Sequence, residues 1–439
     1  MENNEKIYET EINEPINVLL ISLYFDKSKE DECLKSLEEL KLLAKTSIGE
    51  DAVNSKFFTL VQCRTSPEAA TYIGSGKALE AGEICHNNEV SLVIVDAELS
   101  PSQIRNLENE INSKGVFVRV IDRTMLILDI FAKHAVTGEG KLQVEIAQLK
   151  YTAPRLTGMG SKLSRQGGTS GSIGARGPGE TKLEKDKRHI QRRIQALRHE
   201  LSEIEGNRAV KRGKRDKSRI PSAVIAGYTN AGKSTLLNFL TDAGILVEDK
   251  LFATLDPTVR KLVLPSGRTI LLSDTVGFIS RLPHQLVESF KSTLEEVKYA
   301  DIVLIVADAS DNDVSDKIHV TEQILTDMDI SEKPVVYVYN KCDKLDILPP
   351  KEVLDRHDSI CISAKDGTNV DALLEKIDVL LSQSKKCVSF LFPFEMQSAV
   401  NDLYKNATVN SVEYTDAGTL VEAIVDERYY GLYNKYLVE

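Results

Sequence analysis

The stretch "AVIAGYTNAGKSTLLNFL", residues 223–240, constrains this chain more than any other. Its first residues read as a buried strand, and an apolar helical pattern starts soon after. Between them Gly227 and Gly232 frame four residues, and Lys233 and Ser234 follow. Glycines there let successive backbone N–H groups close around an anion, and the helix adds the positive end of its dipole. The pattern requires a strand–loop–helix unit, hence an α/β sheet domain, and its expected ligand is the phosphate tail of a nucleotide. Lys233 is expected to reach the β- and γ-phosphates and the Ser234 hydroxyl to ligate Mg2+.

A phosphate loop does not choose a base. "VVYVYNKCDKLD" does, placing Asn340, Lys341, Cys342 and Asp343 at the end of a strand-like run. A carboxylate at Asp343 can accept both the ring N–H and the exocyclic amine of guanine. Adenine has no such donor pair, and a buried carboxylate left without partners rejects it strongly. "CISAKDG" follows another short strand, so Ser363, Ala364 and Lys365 are expected to back the base from its other side.

"SDTVGFIS" supplies the third part. Asp274 would hold Mg2+ through water, and the Gly277 amide would sense the γ-phosphate, with Thr275 and Val276 between them. "LFATLDPTVRK" supplies the fourth, with Thr254 or Thr258 closing over Mg2+; spacing alone does not separate the two. Phe252, Ala253, Leu255 and Asp256 of that segment, and Tyr228, Thr229, Asn230, Ala231 and Thr235 of the phosphate loop, complete the candidate nucleotide-contacting set. The four parts in this order imply binding of GTP and its hydrolysis to GDP and phosphate. Lys233, Gly277 and Asn230 are the catalytic candidates. Phe278 raises a difficulty: the residue after Gly277 should orient a water, and a phenyl ring cannot.

At 439 residues the chain suits about three domains. Helix-like and strand-like stretches alternate from residue 16 to about 135, which predicts βαβ units and a parallel sheet. Leu183, Ile190, Ile194, Leu197, Leu201 and Ile204 then fall on a heptad stripe, and Leu142, Ile146 and Leu149 carry the same rhythm. Gly158 to Gly179 between them is rich in Gly and Ser and carries Lys162, Arg165 and Arg176. A helical hairpin with a basic tip follows as the economical reading. The βα alternation returns from Pro221 to about Ser384, and the remainder reads as strand, helix, two strands and a closing helix. The expected organisation is an α/β domain over 1–135, a helical hairpin over 136–220, a P-loop GTPase domain with a mostly parallel sheet over 221–384, and a small α+β domain over 385–439.

Net charge is −11, yet residues 181–220 hold 14 Lys and Arg against 6 Asp and Glu, a local surplus of 8. A basic island in an acidic protein suits a phosphate backbone while limiting indiscriminate binding. Six cysteines stand far apart without a CxxC pair, arguing against a disulfide framework or zinc site and for a reducing cytosol. The acidic, polar amino terminus does not read as a signal peptide, and apolar runs are strand-length, so a cytoplasmic chain without a membrane span is expected. The seven histidines show no metal-ligand spacing. Gly74-Ser75-Gly76-Lys77 looks like part of a second phosphate loop but lacks a leading glycine and an immediately preceding strand, so a turn capping a helix is the expectation.

With these residues in place, the chain resembles the HflX family of ribosome-associated GTPases. "LFATLDPTVR", "DTVGFISRLPHQLVESFKSTLEEV" and "ADIVLIVADAS" are similar to that family's switch regions and following segment. "YIGSGKALE", "VRVIDRTMLILDIFAKHA", "QVEIAQLKYTAPRLTG" and "GARGPGETKLEKDKRHI" resemble its amino-terminal domain and helical linker. The likeness runs from about Tyr72 to Lys385. It implies Thr254 as the magnesium-binding threonine, the large ribosomal subunit and its RNA as partner, and a role in splitting stalled or idle ribosomes under stress. A monomer is the expected state. Asn230 also resembles the asparagine that helps hold potassium in cation-activated GTPases, so K+ is a second candidate ion. Two other readings compete: a GTPase serving an RNA-modifying enzyme, and an RNA-binding scaffold with structural GTP.

Overall fold

The computed structural model describes residues 16–115, 117–155, 178–218, 220–241, 252, 258–281, 297–327, 330, 333–345, 358–383 and 385–438. Most of the glycine-rich stretch, with Lys162, Arg165 and Arg176, lies outside them. Contacts group the chain into two compact units. The first draws on Met1–Gly206, Glu248–Asp256 and Arg281–Ser292, the second on Asn207–Val247, Pro257–Ser280 and Thr293–Glu439.

In the first unit, strands β1 (Asn17–Tyr24), β2 (Phe57–Cys63), β3 (Val90–Val95) and β4 (Arg119–Asp122) alternate with helices α1 (Glu30–Ile48), α2 (Ser75–Asn87), α3 (Pro101–Ile111) and α4 (Arg123–His134). The strands form one parallel sheet in the order β2-β1-β3-β4. Val18 to Ile21 are all fully buried, as a parallel strand covered on both faces requires. Ser100 opens α3 with a reciprocal capping box to Gln103, and Pro101 occupies the first turn, where its missing N–H is no loss. Gly74 caps α2 rather than forming a second phosphate loop, and Lys77 is ion-paired with Glu80 at 2.9 Å.

Asp96, just beyond β3, is a buried charge with four donors. Arg123 Nη1 approaches its Oδ1 at 2.8 Å, and Ser36 Oγ, Arg281 Nη1 and Ser22 Oγ reach its Oδ2 at 2.6, 3.2 and 3.4 Å. Arg123, itself buried, also donates to Glu39. Burying charged groups is costly unless partners surround them, and this cluster supplies those partners.

Helices α5 (Gly138–Thr152) and α6 (Pro178–Ser218) follow. On α6 Leu197 is buried, and Ile190, Ile194, Leu201 and Ile204 are half-buried, so the heptad stripe is the packed face. Arg193 forks onto the Glu145 carboxylate of α5 at 2.8 and 3.2 Å. Lys185, Lys187, Arg188, Arg192 and Arg198 are exposed.

In the second unit, β5 (Ser222–Gly227), α7 (Lys233–Thr241), β6 (Val259–Val263), β7 (Thr269–Asp274), β8 (Ile302–Asp308), α8 (Val314–Asp327), β9 (Val335–Asn340), β10 (Ser359–Cys361) and α9 (Val370–Gln383) succeed one another. The sheet order is β10-β9-β8-β5-β7-β6, and β6 alone runs antiparallel to its neighbour. Ile225, Leu236, Leu272, Leu304 and Val338 fill its core. A second sheet of β11 (Lys385–Phe392), β12 (Thr408–Thr415), β13 (Gly418–Asp426) and β14 (Leu437–Val438) is antiparallel, ordered β12-β13-β11-β14. It packs with α10 (Gln397–Asn406) and α11 (Glu427–Leu432) around Phe390, Phe392, Leu403 and Tyr433. The two-residue β14 is too short to leave a pattern in the sequence. Among the described residues no helix is long and apolar enough to cross a membrane.

Candidate nucleotide site

The site forms where β5, β7, β8 and β9 end, the edge of an open α/β sheet at which ligands enter. Its glycines are sterically compelled. A Cβ on Gly227, whose φ is 149°, would lie 2.1 Å from the Val306 carbonyl oxygen, and one on Gly232 would lie 2.2 Å from Asn340 Nδ2. Only residues without side chains let the loop pass this close to β8 and β9.

Lys233 begins α7 and is buried, its Nζ donating to the Tyr228 carbonyl at 2.8 Å. Burial pushes its ammonium down to about 8, against the opposing pull of Asp274. Ser234 Oγ donates to Asp274 Oδ2 at 2.8 Å, and Asp274 Oδ1 accepts the Thr275 N–H at 2.8 Å. Two hard oxygen donors thus meet beside the phosphate loop, a donor chemistry suited to Mg2+. Thr275 is anchored by its hydroxyl to the Ile225 carbonyl at 2.9 Å, and Val276 is buried. Among the described residues, no three His, Cys, Asp or Glu side chains gather into a separate metal centre.

Phe278 is 2 % exposed. Its N–H donates to the Gly227 carbonyl at 3.1 Å, and its own carbonyl accepts from Thr229 N at 2.8 Å. The ring is core, and the backbone splices the "DTVG" loop onto the phosphate loop. Gly277 stands against Thr229 and Lys233, where a Cβ would meet the Thr229 side chain at 2.8 Å and Lys233 Nζ at 3.1 Å. The Thr229 hydroxyl is buried without a hydrogen-bond partner.

Asn340 joins three loops. Its buried side chain donates to the Ala231 carbonyl at 2.9 Å and accepts the Ala364 N–H at 2.9 Å. Lys341, in the left-handed region with φ 64°, donates to the Asn230 carbonyl at 2.7 Å and pairs with Asp308 at 2.8 Å. Burial would raise the Asp308 carboxyl, but hydrogen bonds from Lys341 and Ser310 outweigh it and hold the group below its usual range. Asp343 Oδ1 accepts the hydroxyl of buried Ser363 at 2.8 Å, which leaves its other oxygen for a ligand. Asn230 and Lys365 are exposed, and Ala231 is buried beneath the loop. Thr235 and Cys342 are half-buried. Tyr228, one of the candidates, acts as a support, its hydroxyl accepting the Ser280 N–H at 2.7 Å; Asp308 is a support that sequence reasoning passed over. Only the "ADAS" exit of β8, with its short Asp308–Ser310 turn, hinted at Asp308.

Of the remaining segment, Phe252 is buried edge-on against Phe131, with ring centroids 4.6 Å apart. Thr258 gives its carbonyl to Asp274 N at 3.1 Å. Ala253, Thr254, Leu255 and Asp256 lie outside the described residues.

A strand–loop–helix phosphate cradle, a carboxylate beyond it and an Asn-Lys-x-Asp loop at the same sheet edge define a P-loop GTPase, which hydrolyses GTP. GTPases of this class take their nucleotide with a divalent metal. Residues 34–132 match the model of the GTP-binding GTPase N-terminal region, 134–215 that of the GTP-binding GTPase middle region, and 222–341 that of the 50S ribosome-binding GTPase. A GTPase HflX of Caldanaerobacter subterraneus subsp. tengcongensis is 51% identical over 398 residues, 91% of this chain and 89% of its own. One from Lacrimispora saccharolytica is 44% identical over 94% of both chains, and one from Escherichia coli 40% identical over 83% of this chain and 82% of its own. Among solved structures, a GTP-binding protein of Sulfolobus solfataricus in complex with GDP aligns with 84% of this chain and 99% of its own at 27% identity, TM-score 0.43. The chain belongs to the HflX family of GTPases.

Proposed function

We propose that this chain is a GTP-driven switch that engages the large ribosomal subunit and separates stalled or idle ribosomes under stress. It acts as a cytoplasmic monomer. The observation that carries the switch is Asn340, which bonds the phosphate loop at Ala231 and the base-backing loop at Ala364 together. The state of the phosphates and the grip on the base are then felt in one network. The exposed arginines of α6 support a polyanionic partner, and the ribosome-binding description of the matched GTPase model agrees with it.

In this reading the backbone of Gly227 to Gly232 cradles the phosphates, with Lys233 at the β- and γ-phosphates. Ser234 and Thr254 hold Mg2+, which neutralises charge on the phosphate oxygens, and Asp274 supports it through water. Tyr228, Thr229, Thr235, Thr275 and Val276 shape the cradle. Gly277 offers its N–H to the γ-phosphate. Asp343 reads guanine, and Ser363, Ala364 and Lys365 close over the base. Because Phe278 is core, the group that orients the attacking water must come from elsewhere. Asn230 with a K+ ion is one source, and ordering of the switch loops by the partner is another. Isolated protein therefore turns over slowly. Cosedimentation with separated ribosomal subunits, in GDP and in a non-hydrolysable GTP analogue, tests the reading. Binding to the large subunit that requires the analogue is expected; equal recovery in both nucleotides would sink the switch.

A further inference from the structure

Cys342 and Cys361 are remote in sequence and meet in the fold. Cys361 ends β10 opposite Tyr339 of β9. The Ile362 N–H donates to the Tyr339 carbonyl at 2.8 Å, and the Cys342 N–H donates to the Ile362 carbonyl at 3.1 Å. These bonds bring the two side chains into one apolar cluster with Tyr337, Tyr339 and Leu345. There each thiol is the other's strongest electrostatic influence, and Cys342 Sγ donates to the Tyr339 carbonyl at 3.3 Å. Neither is part of a disulfide, and both are half-buried.

Their mutual influence is unequal. The contact with Cys361, followed by burial, pushes Cys342 up, whereas the contact with Cys342 holds Cys361 below an ordinary thiol. A thiol whose ionisation is eased, beside a second thiol that can resolve it, is the arrangement that oxidises selectively. The Cys342 N–H bonded to the Ile362 carbonyl brings Cys342 alongside the residue that follows Cys361, so the two stand on adjoining backbone segments, as a disulfide's Cα separation of about 4.4–6.8 Å requires.

We propose that Cys342 and Cys361 form a reversible disulfide that weakens guanine-nucleotide binding. The oxidant is a peroxide. The Cys361 thiolate attacks one peroxide oxygen, the O–O bond breaks, and hydroxide leaves to take up a proton as water. The Cys342 sulfur then attacks the resulting sulfenic sulfur; the S–S bond forms, the S–O bond breaks, and a second water leaves with the Cys342 proton. The two sulfurs lose two electrons, and the peroxide gains them. A dithiol reverses the step by exchange.

The consequence follows from position and rests on the reading of Asp343 as the guanine-binding carboxylate. Cys342 adjoins Asp343, and Cys361 stands two residues before Ser363, the donor to that carboxylate. A disulfide holds its sulfurs at about 2.05 Å, well inside any non-bonded contact, so the side chains must move to close it. Cys342 must leave the Tyr339 carbonyl and draw on Lys341, already held at φ 64°, so Asp343 shifts against Ser363.

The test uses the full chain, treated with hydrogen peroxide and digested under non-reducing conditions. A linked Cys342–Cys361 peptide pair is expected. GTP affinity falls by about tenfold, the weight of roughly one lost hydrogen bond, and returns with dithiothreitol. Cys361→Ser is expected to bind GTP like the untreated protein and to ignore peroxide. Recovery of Cys361 without the link, unmodified or as sulfinic acid, overturns the proposal. So does a linked protein whose GTP affinity is unchanged or tighter. The base preference of reduced Asp343→Asn protein tests the guanine reading separately.

Discussion

At the residue scale, Asp343 and Lys233 carry opposite lessons. The role proposed for Asp343 could be read from the sequence because base choice needs a carboxylate after an Asn-Lys pair, and few side chains can replace it. Asp343→Asn removes a charge-assisted, two-pronged contact, so GTP binding should weaken by about 2–4 kcal/mol. The amide presents a donor where xanthine has a carbonyl, so xanthosine triphosphate should be admitted. Direct titration with both nucleotides checks this, and an unaltered preference for GTP would remove Asp343 from the base site. The sequence could propose Lys233 as a phosphate ligand but not its protonation, because burial depends on what the fold places over it. Its pKa of about 8 in the free chain must rise when a triphosphate approaches Nζ. With the bound value above the free one, affinity is fully present below pH 8 and is lost as pH rises from there toward the bound pKa. Titration calorimetry across that alkaline range should show proton uptake and a slope approaching about one log unit of affinity per pH unit. Lys233→Met should bind more weakly and with a flat profile. Phe278 was the residue the sequence made puzzling, and its burial explains it as packing beneath two spliced loops.

At the element scale, periodicity exposed the alternating strands and helices of the first sheet and the strand and helix flanking the phosphate loop, because a buried parallel strand is apolar throughout and a packed helix shows its stripe. Contacts between elements stayed hidden. Nothing in the sequence links Cys342 to Cys361, since the pairing of β9 with β10 joins them. The same holds for Asp96, which β3 delivers to a site where Arg123 from the start of α4 and Ser36 from α1 already point. Removing only the carboxylate leaves Arg123 buried with less compensation. Asp96→Ala should therefore cost about 3–5 kcal/mol in urea unfolding, the range for breaking one side of a buried pair. Arg123→Met in the same chain should recover part of that loss, because the stranded charge goes with it. Strict additivity of the two substitutions would mean that Asp96 and Arg123 are not energetically coupled.

At the scale of the whole molecule, net charge was the misleading number and its distribution the useful one. An acidic chain with a basic helix repels polyanions everywhere except along that helix. The packing of α6 divides the helix's arginines by role, which a count could not do. Arg193 is committed to Glu145 of α5 and belongs to the helix pairing, whereas Arg192 is exposed and Arg188, also exposed, pairs with Glu184 of its own helix at 3.5 Å. Reversing Arg188 and Arg192 to glutamate should spare both folding and GTP binding, because both side chains are exposed on α6 and neither is a candidate nucleotide contact. If the two contact ribosomal RNA, each releases a counterion on binding. The variant should then bind large subunits more weakly, and its log–log salt slope should be shallower by about two. Arg193→Glu is the contrasting case, expected to loosen the α5–α6 pair as well as any RNA contact. Cosedimentation over a salt series, with helix content followed by circular dichroism, separates the two effects. Were the Arg188→Glu/Arg192→Glu variant to sediment like the parent at every salt concentration, this face would be solvated surface, and the ribosomal contact would have to lie elsewhere on the chain.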